Sequence, residues 1–266
     1  MDNRSRYFPH VLPVRWAALP STRLLIAAVA AAVLLAGWHL TAPATHADDP
    51  SYDNPVTYGA AQDKITGITV GDIDADGDLD LIAVKDGQQS AAYLNDGQGH
   101  FFDGVIDDCT AQASVLRCFG APDDHFTAVT LADVDSDGDL DGVALAGSGQ
   151  SRIFVNDGRG KFIASRAFGF SLSAGRSLAA GDLNGDGSPD LVVGDRAQNV
   201  VFFNDGRGNF YSGRLDSCDT PPAGVACVGG KGAPALALAD MDGDGWLDIA
   251  VASSSDSEPQ SALYLN

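Results

Sequence analysis

The chain has 266 residues, a formal net charge of −20, and 36 acidic residues against 16 Lys and Arg. This length fits one large all-β domain or two small ones. So acidic a surface argues against a nucleic-acid partner, because binding to phosphates relies on Lys and Arg.

The N-terminal segment has the features of an export signal. Four Arg precede an apolar run over 24–40, and Thr45 and Ala47 supply small residues for a cleavage site. The run is at the short limit for a membrane span, which favours a cleaved signal peptide over a retained signal anchor. We expect a secreted or cell-surface protein that touches the membrane only through an uncleaved segment. The expected organisation is a signal at 1–47, a polar lead-in at 48–54 and the folded domain at 55–266.

The folded domain is organised around residues 72–80, where carboxylates occupy every second position around a glycine. The pattern returns at 133–141, 182–190 and 240–248. Carboxylates packed this closely repel one another, so the loop is expected to fold around a cation, and an all-oxygen cage suits Ca²⁺. A helix–loop–helix sensor is excluded, because position 12 of that loop needs Glu. Here position 12 is Ala83, Ala144, Val193 and Val251.

Short segments around the first loop are predicted to be strands, and no sustained helical periodicity follows residue 47. An Asn-Asp-Gly sequence, which tolerates positive φ, predicts a hairpin turn after the third strand. This turn begins at Asn95 and returns at Asn156 and Asn204. The predicted strands of the first unit are 55–58, 68–71, 81–84, 91–94 and, after the turn, a strand near 104–106.

The strand that enters each loop alternates in size. Positions 2 and 4 before the first Asp are mostly large and apolar, whereas positions 1 and 3 are small. A repeated four-stranded unit of about 50 residues is typical of a β-propeller, so we expect an all-β propeller of four blades.

The two ends of the folded domain suggest how the propeller closes. Residues 263–266 match a third strand up to its Asn, and 55–58 have the sequence of a fourth strand with no unit before it. We therefore expect the N-terminal strand to complete the last blade. The alternative is an open half-ring that dimerises or joins a partner.

Four cysteines are compatible with export and allow three connectivities. Their spacing is nine residues in both neighbouring pairs, which favours two local bridges. The expected bridges are Cys109–Cys118 and Cys218–Cys227.

These motifs resemble the FG-GAP/VCBS repeats of integrin α-chain propellers and bacterial exported proteins. The acidic loop occurs four times, and Phe119-Gly120-Ala121-Pro122 spells the motif that gives the family its name. An aromatic-Gly pair also lies 13 residues before the first acid in three of the four units. The fourth unit departs, with Val228-Gly229 closer to its loop. The resemblance implies a propeller with about four structural Ca²⁺ ions in the blade loops.

The resemblance assigns ligands to loop positions 1, 3, 5 and 9 through side chains and to position 7 through the main-chain carbonyl. The first loop supplies Asp72, Asp74, Asp76, Asp80 and the Asp78 carbonyl. The second supplies Asp133, Asp135, Asp137, Asp141 and the Asp139 carbonyl. The third supplies Asp182, Asn184, Asp186, Asp190 and the Ser188 carbonyl. The fourth supplies Asp240, Asp242, Asp244, Asp248 and the Trp246 carbonyl. Because Asn184 replaces a carboxylate, we expect the third site to bind most weakly.

The function favoured by these patterns is a non-enzymatic adhesion module that binds a protein or carbohydrate at its loop face. Trp246 is expected to pack over its own loop rather than serve as an exposed platform for a sugar. His125 lies beside two Asp but no nucleophile pattern accompanies it, so catalysis is not expected. The alternatives are a secreted polysaccharide-cleaving enzyme or its accessory domain, and a partner that completes another chain's ring.

Overall fold

A computed structural model describes residues 55–106, 109, 114–170, 175–195, 198–229, 235–252 and 261–266. These residues form strands and no helix, and the strands make four antiparallel sheets arranged as a four-blade β-propeller. The expected all-β fold is confirmed. The signal and lead-in expected over 1–54 lie outside the described residues. In the described ranges no helix is long and apolar enough to cross a membrane.

Each blade takes consecutive strands of the chain. Blade 1 comprises β1 (Ile65–Gly71), β2 (Asp80–Lys85), β3 (Ser90–Tyr93) and β4 (Leu116–Phe119). Blade 2 comprises β5 (Phe126–Ala132), β6 (Asp141–Ala146), β7 (Ser151–Asn156) and β8 (Phe162–Phe168). Blade 3 comprises β9 (Gly175–Gly181), β10 (Asp190–Asp195), β11 (Asn199–Phe202) and β12 (Val225–Val228). Blade 4 comprises β13 (Ala235–Ala239), β14 (Asp248–Ala252) and β15 (Ala262–Tyr264).

The fourth strand of blade 1 corrects the sequence prediction. Residues 104–106 form no strand, and β4 pairs with β3 instead, from Ser90 opposite Phe119 to Tyr93 opposite Leu116. An insertion separates the hairpin turn from this strand. In blade 2, which has no such insertion, β8 follows the turn directly.

The two disulfides are confirmed as Cys109–Cys118 and Cys218–Cys227. The second cysteine of each pair lies in the fourth strand of its blade, in β4 and in β12. Each bridge therefore ties an insertion to the outer strand of its own sheet. Such bridges are characteristic of proteins folded in oxidising compartments.

The strand expected to close the ring is not formed. Residues 55–58 have no strand pairing, and the described sheet of blade 4 has three strands. The Tyr58 ring instead packs edge-on against Tyr93 of blade 1, with centroids 5.7 Å apart. The Gly59 N–H donates to the Phe102 carbonyl at 2.8 Å. The N-terminal stretch thus belongs to blade 1, because its aromatic side chain finds an apolar cluster there.

Blade 1 also contains a buried ion pair. The Lys85 ammonium lies 2.8 Å from the Asp63 carboxylate, and their side chains are 2% and 12% exposed. The ammonium also lies 5.7 Å from the centroid of the Tyr93 ring. Burial raises the pKa of the Tyr93 hydroxyl, with a further contribution from Asp63, so this hydroxyl stays protonated and donates towards Asp63. The three groups form one network beneath the N-terminal stretch.

Candidate metal centres

The acidic loops join the first and second strands of each blade and share one set of hydrogen bonds. In the first loop, the Asp72 carboxylate accepts the N–H groups of Asp76 and Gly77 at 3.2 and 3.1 Å. Asp76 Oδ1 accepts the N–H of Asp78 at 2.9 Å. The corresponding bonds occur in the other three loops. The carboxylates therefore orient the loop as well as offering oxygens to a cation.

Two positions of each loop need a left-handed backbone. Position 6 is always Gly, with φ of 95° at Gly77. Position 4 is Gly in the third and fourth loops, but Ala75 and Ser136 hold φ of 60° and 62° in the first and second. A side chain in this region costs energy that the surrounding loop must offset. The sequence pattern did not reveal this second left-handed position.

The loop carboxylates converge in three of the four loops. The side-chain oxygens at positions 1, 3 and 9 lie within 4.8 Å of one another. These groups are Asp72, Asp74 and Asp80; Asp133, Asp135 and Asp141; and Asp240, Asp242 and Asp248. The position 5 carboxylates are outside these groups and accept main-chain N–H bonds instead. Three clustered carboxylates per loop fit a hard divalent cation.

A further observation in the first two loops favours a cation. Oδ1 of Asp74 and Oδ1 of Asp135 are buried and have no hydrogen-bond partner. A buried oxygen without a partner loses its hydration without compensation. Both atoms belong to the position 3 carboxylates of their groups. The donor set thus fits a metal ion, which would supply the missing interaction.

The third loop has the same fold with one carboxylate fewer. Asp182 accepts the N–H groups of Asp186 and Gly187 as its counterparts do. Asn184 takes position 3, so this loop presents two carboxylates at the positions that converge in the other loops. The loop therefore adopts the same conformation without the third carboxylate. Its negative charge is one unit smaller than it would be with Asp at position 3.

The position 9 Asp of each loop is fully buried and links the loop to the hairpin turn. Asp80 accepts the N–H groups of Ile73 and Asn95 at 3.1 and 2.9 Å. Asp141, Asp190 and Asp248 make the equivalent pair of bonds. Sequence reasoning treated the turn Asn only as a turn former. Its spacing after the loop, nearly fixed along the chain, was the available signal for this contact.

Burial raises the pKa of several loop carboxylates. Desolvation is the largest cause for Asp141, whose pKa rises to about 6, and neighbouring Asp135 and Asp137 add to it. Desolvation also raises the pKa of Asp80 and Asp190. Ionisation of these buried carboxylates at neutral pH costs free energy, and a cation bound beside them would offset this cost.

Without divalent ions, acidification from pH 7 to about 5 is expected to stabilise the protein. A carboxylate whose folded pKa is raised binds protons more readily in the folded state, so its ionisation lowers stability as pH rises through that pKa. Thermal unfolding of ion-depleted protein at several pH values measures this effect. With saturating Ca²⁺ the trend should reverse, because protons then compete with the ion. An ion-depleted protein that loses stability on acidification over this range would contradict the expectation.

The loop face of the propeller also carries a cleft lined by basic residues, called the basic cleft below. A cavity of about 700 Å³ lies between the outer strand of blade 1 and the hairpin turn of blade 2. Arg117, Arg159 and Lys161 line it, together with Asp157, Phe162 and the Cys109–Cys118 bridge. In a chain of net charge −20, this cleft brings three cations together with a single lining carboxylate, Asp157.

The remaining candidate residues lie on the surface. The Trp246 ring packs against Gly185 of the third loop and is 45% exposed, so it covers a neighbouring loop rather than its own. His100 pairs with Asp96 and His125 with Asp86, and both imidazoles are more than half exposed. The His125 pair bridges blades 1 and 2. Neither histidine lines the basic cleft.

The fold and the loops define a class: a four-blade β-propeller whose blades each carry an acidic loop of one conformation. The family described as an FG-GAP-like repeat matches residues 133–193 and 182–251. The chain thus carries FG-GAP-like repeats, as its motifs predicted. No curated protein sequence matches it.

Three solved structures resemble the chain at low identity. A lectin of Agrocybe aegerita that recognises non-reducing terminal N-acetylglucosamine is 22% identical with a TM-score of 0.44, over 68% of this chain and 44% of that one. The Photorhabdus luminescens Tc holotoxin pore is 20% identical with a TM-score of 0.41, over 76% and 9%. The V. cholerae biofilm matrix protein Bap1 is 14% identical with a TM-score of 0.41, over 80% and 34%. The chain spans less than half the length of each.

Proposed function

We propose that the protein is an exported, calcium-stabilised propeller that binds a carbohydrate or protein ligand at its loop face without catalysis. The supporting observation is the basic cleft beside loops that repeat in every blade. Because a similar loop occurs in every blade, the ions are expected to have a structural role. A catalytic ion would need one site rather than four similar ones. The ligands would be the loop residues already named, including the position 7 carbonyls.

Calcium is the ion that best suits these loops. Every side-chain donor is a carboxylate or amide oxygen, and no His or Cys belongs to the three described groups. Hard oxygen donors on an irregular loop suit Ca²⁺, which accepts six to eight ligands in flexible geometry. Mg²⁺ needs a stricter octahedron and Zn²⁺ prefers nitrogen and sulfur.

The cleft favours an acidic glycan as the ligand. Two exposed cations of one hairpin turn, Arg159 and Lys161, face the cavity that Arg117 also lines. A guanidinium binds carboxylate or sulfate through paired hydrogen bonds, and the Phe162 ring offers an apolar surface to a sugar face. The enzyme alternative has no equivalent support, because glycoside hydrolysis uses a pair of carboxylates and Asp157 is the one carboxylate among the described residues that line this cleft.

A binding screen of acidic and neutral oligosaccharides tests this function. The full chain with Ca²⁺ is expected to bind acidic members, and the double variant Arg159→Gln/Lys161→Gln should bind them at least about tenfold more weakly. Arg207→Gln is the matched control, because Arg207 occupies the same turn position in blade 3 outside the cleft. Unchanged affinity in the double variant, or hydrolysis of any oligosaccharide, would refute the proposal. Selective binding of a protein instead would refute the choice of ligand.

The order of metal affinities provides a separate prediction. The third loop is expected to bind Ca²⁺ most weakly, and Asn184→Asp should strengthen that site by about tenfold because it restores a third carboxylate. Calorimetric titration of the wild type and the variant measures this. Ser212→Asp adds the same charge to an exposed residue of the same blade outside the loops and should leave the titration unchanged. A third site that already binds as tightly as the others contradicts the ranking.

A further inference from the structure

Neighbouring blades pack through the strands that enter the metal loops. A Cβ built on Gly71 of blade 1 would collide with Leu131 of blade 2, and one on Gly181 of blade 3 with Leu247 of blade 4. The leading side of each blade is defined by positions 1, 3 and 5 before the first Asp, and it carries small side chains. The trailing side of the next blade, defined by positions 2 and 4 and loop position 8, carries mostly large apolar side chains, with Ala180 of blade 3 as the exception. The interfaces between blades 1 and 2 and between blades 3 and 4 therefore join small side chains on the leading side to leucines on the trailing side.

The trailing side of blade 1 is exposed. Ile68, Val70 and Leu79 are 54%, 58% and 60% exposed. The residue of blade 2 at the position of Ile68 is Val129, which is 8% exposed. The exposed apolar row of β1 thus consists of the side chains that a preceding blade would cover.

The leading side of blade 4 is also exposed. Exposed and half-buried residues alternate along β13, and the exposed ones are Ala235, Ala237 and Ala239. On β1 the alternation has the opposite phase, so the large residues are the exposed ones. Met241, at loop position 2, is 58% exposed. The residues at this loop position in the first three blades are Ile73, Val134 and Leu183, at 2%, 0% and 7%.

A polar contact shows the same asymmetry. The turn Asn of each later blade donates from Nδ2 to the carbonyl at loop position 2 of the blade before it. These bonds run from Asn156 to Ile73 at 2.7 Å, from Asn204 to Val134 at 2.8 Å and from Asn266 to Leu183 at 2.6 Å. Asn95 of blade 1 donates to Leu79 of its own blade. The described chain therefore leaves the Met241 carbonyl without the donor that its three counterparts have.

We propose that the leading side of blade 4 packs on the trailing side of blade 1 in a second copy of the chain. The two sides are the halves of an interface that the chain already builds three times, so their shapes and hydrogen-bonding groups match each other. Both are exposed, so blade 4 does not pack on blade 1 within one copy. Asn95 of one copy would then donate to the Met241 carbonyl of the other. Such a head-to-tail contact closes into a ring of blades or continues as a filament.

Light scattering of the full chain tests this assembly. The wild type is expected to have at least twice the mass of one chain at about 100 µM. Val70→Asp on the trailing side and Ala237→Asp on the leading side should each reduce the mass to that of a monomer. Ile163→Asp is the matched control, because Ile163 is 60% exposed on the outer strand β8, away from both sides. It should keep the wild-type mass.

Mixing the two variants separates a head-to-tail contact from other modes of association. Val70→Asp protein retains an intact leading side, and Ala237→Asp protein retains an intact trailing side. An equimolar mixture should therefore form a one-to-one dimer although each variant alone is monomeric. A monomeric wild type, variants that keep the wild-type mass, or a mixture that stays monomeric would each overturn the proposal.

Discussion

Removal of divalent ions is expected to lower the unfolding temperature of the protein by about 20 °C. Each site held at a hundredfold excess of ion over its dissociation constant adds about 2.7 kcal/mol, so three carboxylate sites add about 8 kcal/mol. For a domain of this size, 1 kcal/mol shifts the midpoint by roughly 2–4 °C. Calorimetry with Ca²⁺ and with excess chelator measures the difference. A shift of only a few degrees would mean that the loops fold without an ion.

A single substitution distinguishes a bound ion from a general effect of salt. Asp74→Asn removes one charge from the first loop while keeping the size of the side chain. With Ca²⁺ it should destabilise the protein, because the ion loses a ligand. With chelator it should stabilise the protein, because Asp74 then carries a buried oxygen without a partner beside two like charges. Asp123→Asn, on an exposed residue outside the loops, should change neither value. The same sign in both conditions contradicts ion binding at this loop.

The sequence predicted the parts of the fold that depend on local patterns. The acid repeat, the turn sequence and the spacing are each contained within a single blade, so they identify four units and the bridges Cys109–Cys118 and Cys218–Cys227 without tertiary information. Convergence of loop positions 1, 3 and 9 also follows locally, because one tight loop brings them together.

The errors concern pairings that depend on competition between distant segments. Strand β4 lies beyond an insertion, and the segment before that insertion has an equally plausible strand sequence. The stretch 55–58 has a strand-like sequence too, but the Tyr58 ring packs in an apolar cluster of blade 1. Alternation in one sequence shows which residues face a neighbouring blade. It does not show whether that neighbour is in the same chain.

The ion pair of Asp63 and Lys85 is a further feature that local patterns do not contain. The partners are separated by 22 residues, and Lys85 ends a strand whose four preceding side chains, 81–84, are apolar. From the sequence alone, a lysine at the end of a strand is predicted to be exposed to solvent. Only the packing of the N-terminal stretch over blade 1 encloses it.

Lys85→Met is expected to destabilise the protein by about 3–5 kcal/mol, because it leaves the Asp63 carboxylate buried without its cation. Asp63 would retain the N–H of Ala60, at 2.9 Å, and the more distant Tyr93 hydroxyl as partners. Neither neutralises the charge. Chemical denaturation with saturating Ca²⁺ measures the change, which should appear as a lower midpoint with an unchanged slope.

The double variant Asp63→Asn/Lys85→Met separates loss of the pair from loss of packing. Removing both charges should recover most of the stability that Lys85→Met loses, because no buried charge is then left uncompensated. Arg214→Met is the exposed control, since the ion pair of Arg214 and Asp216 has side chains that are 88% and 77% exposed. It should leave the midpoint unchanged. If the double variant is as unstable as Lys85→Met alone, Lys85 contributes through packing of its aliphatic chain, and the charge on Asp63 is not what makes the single substitution costly.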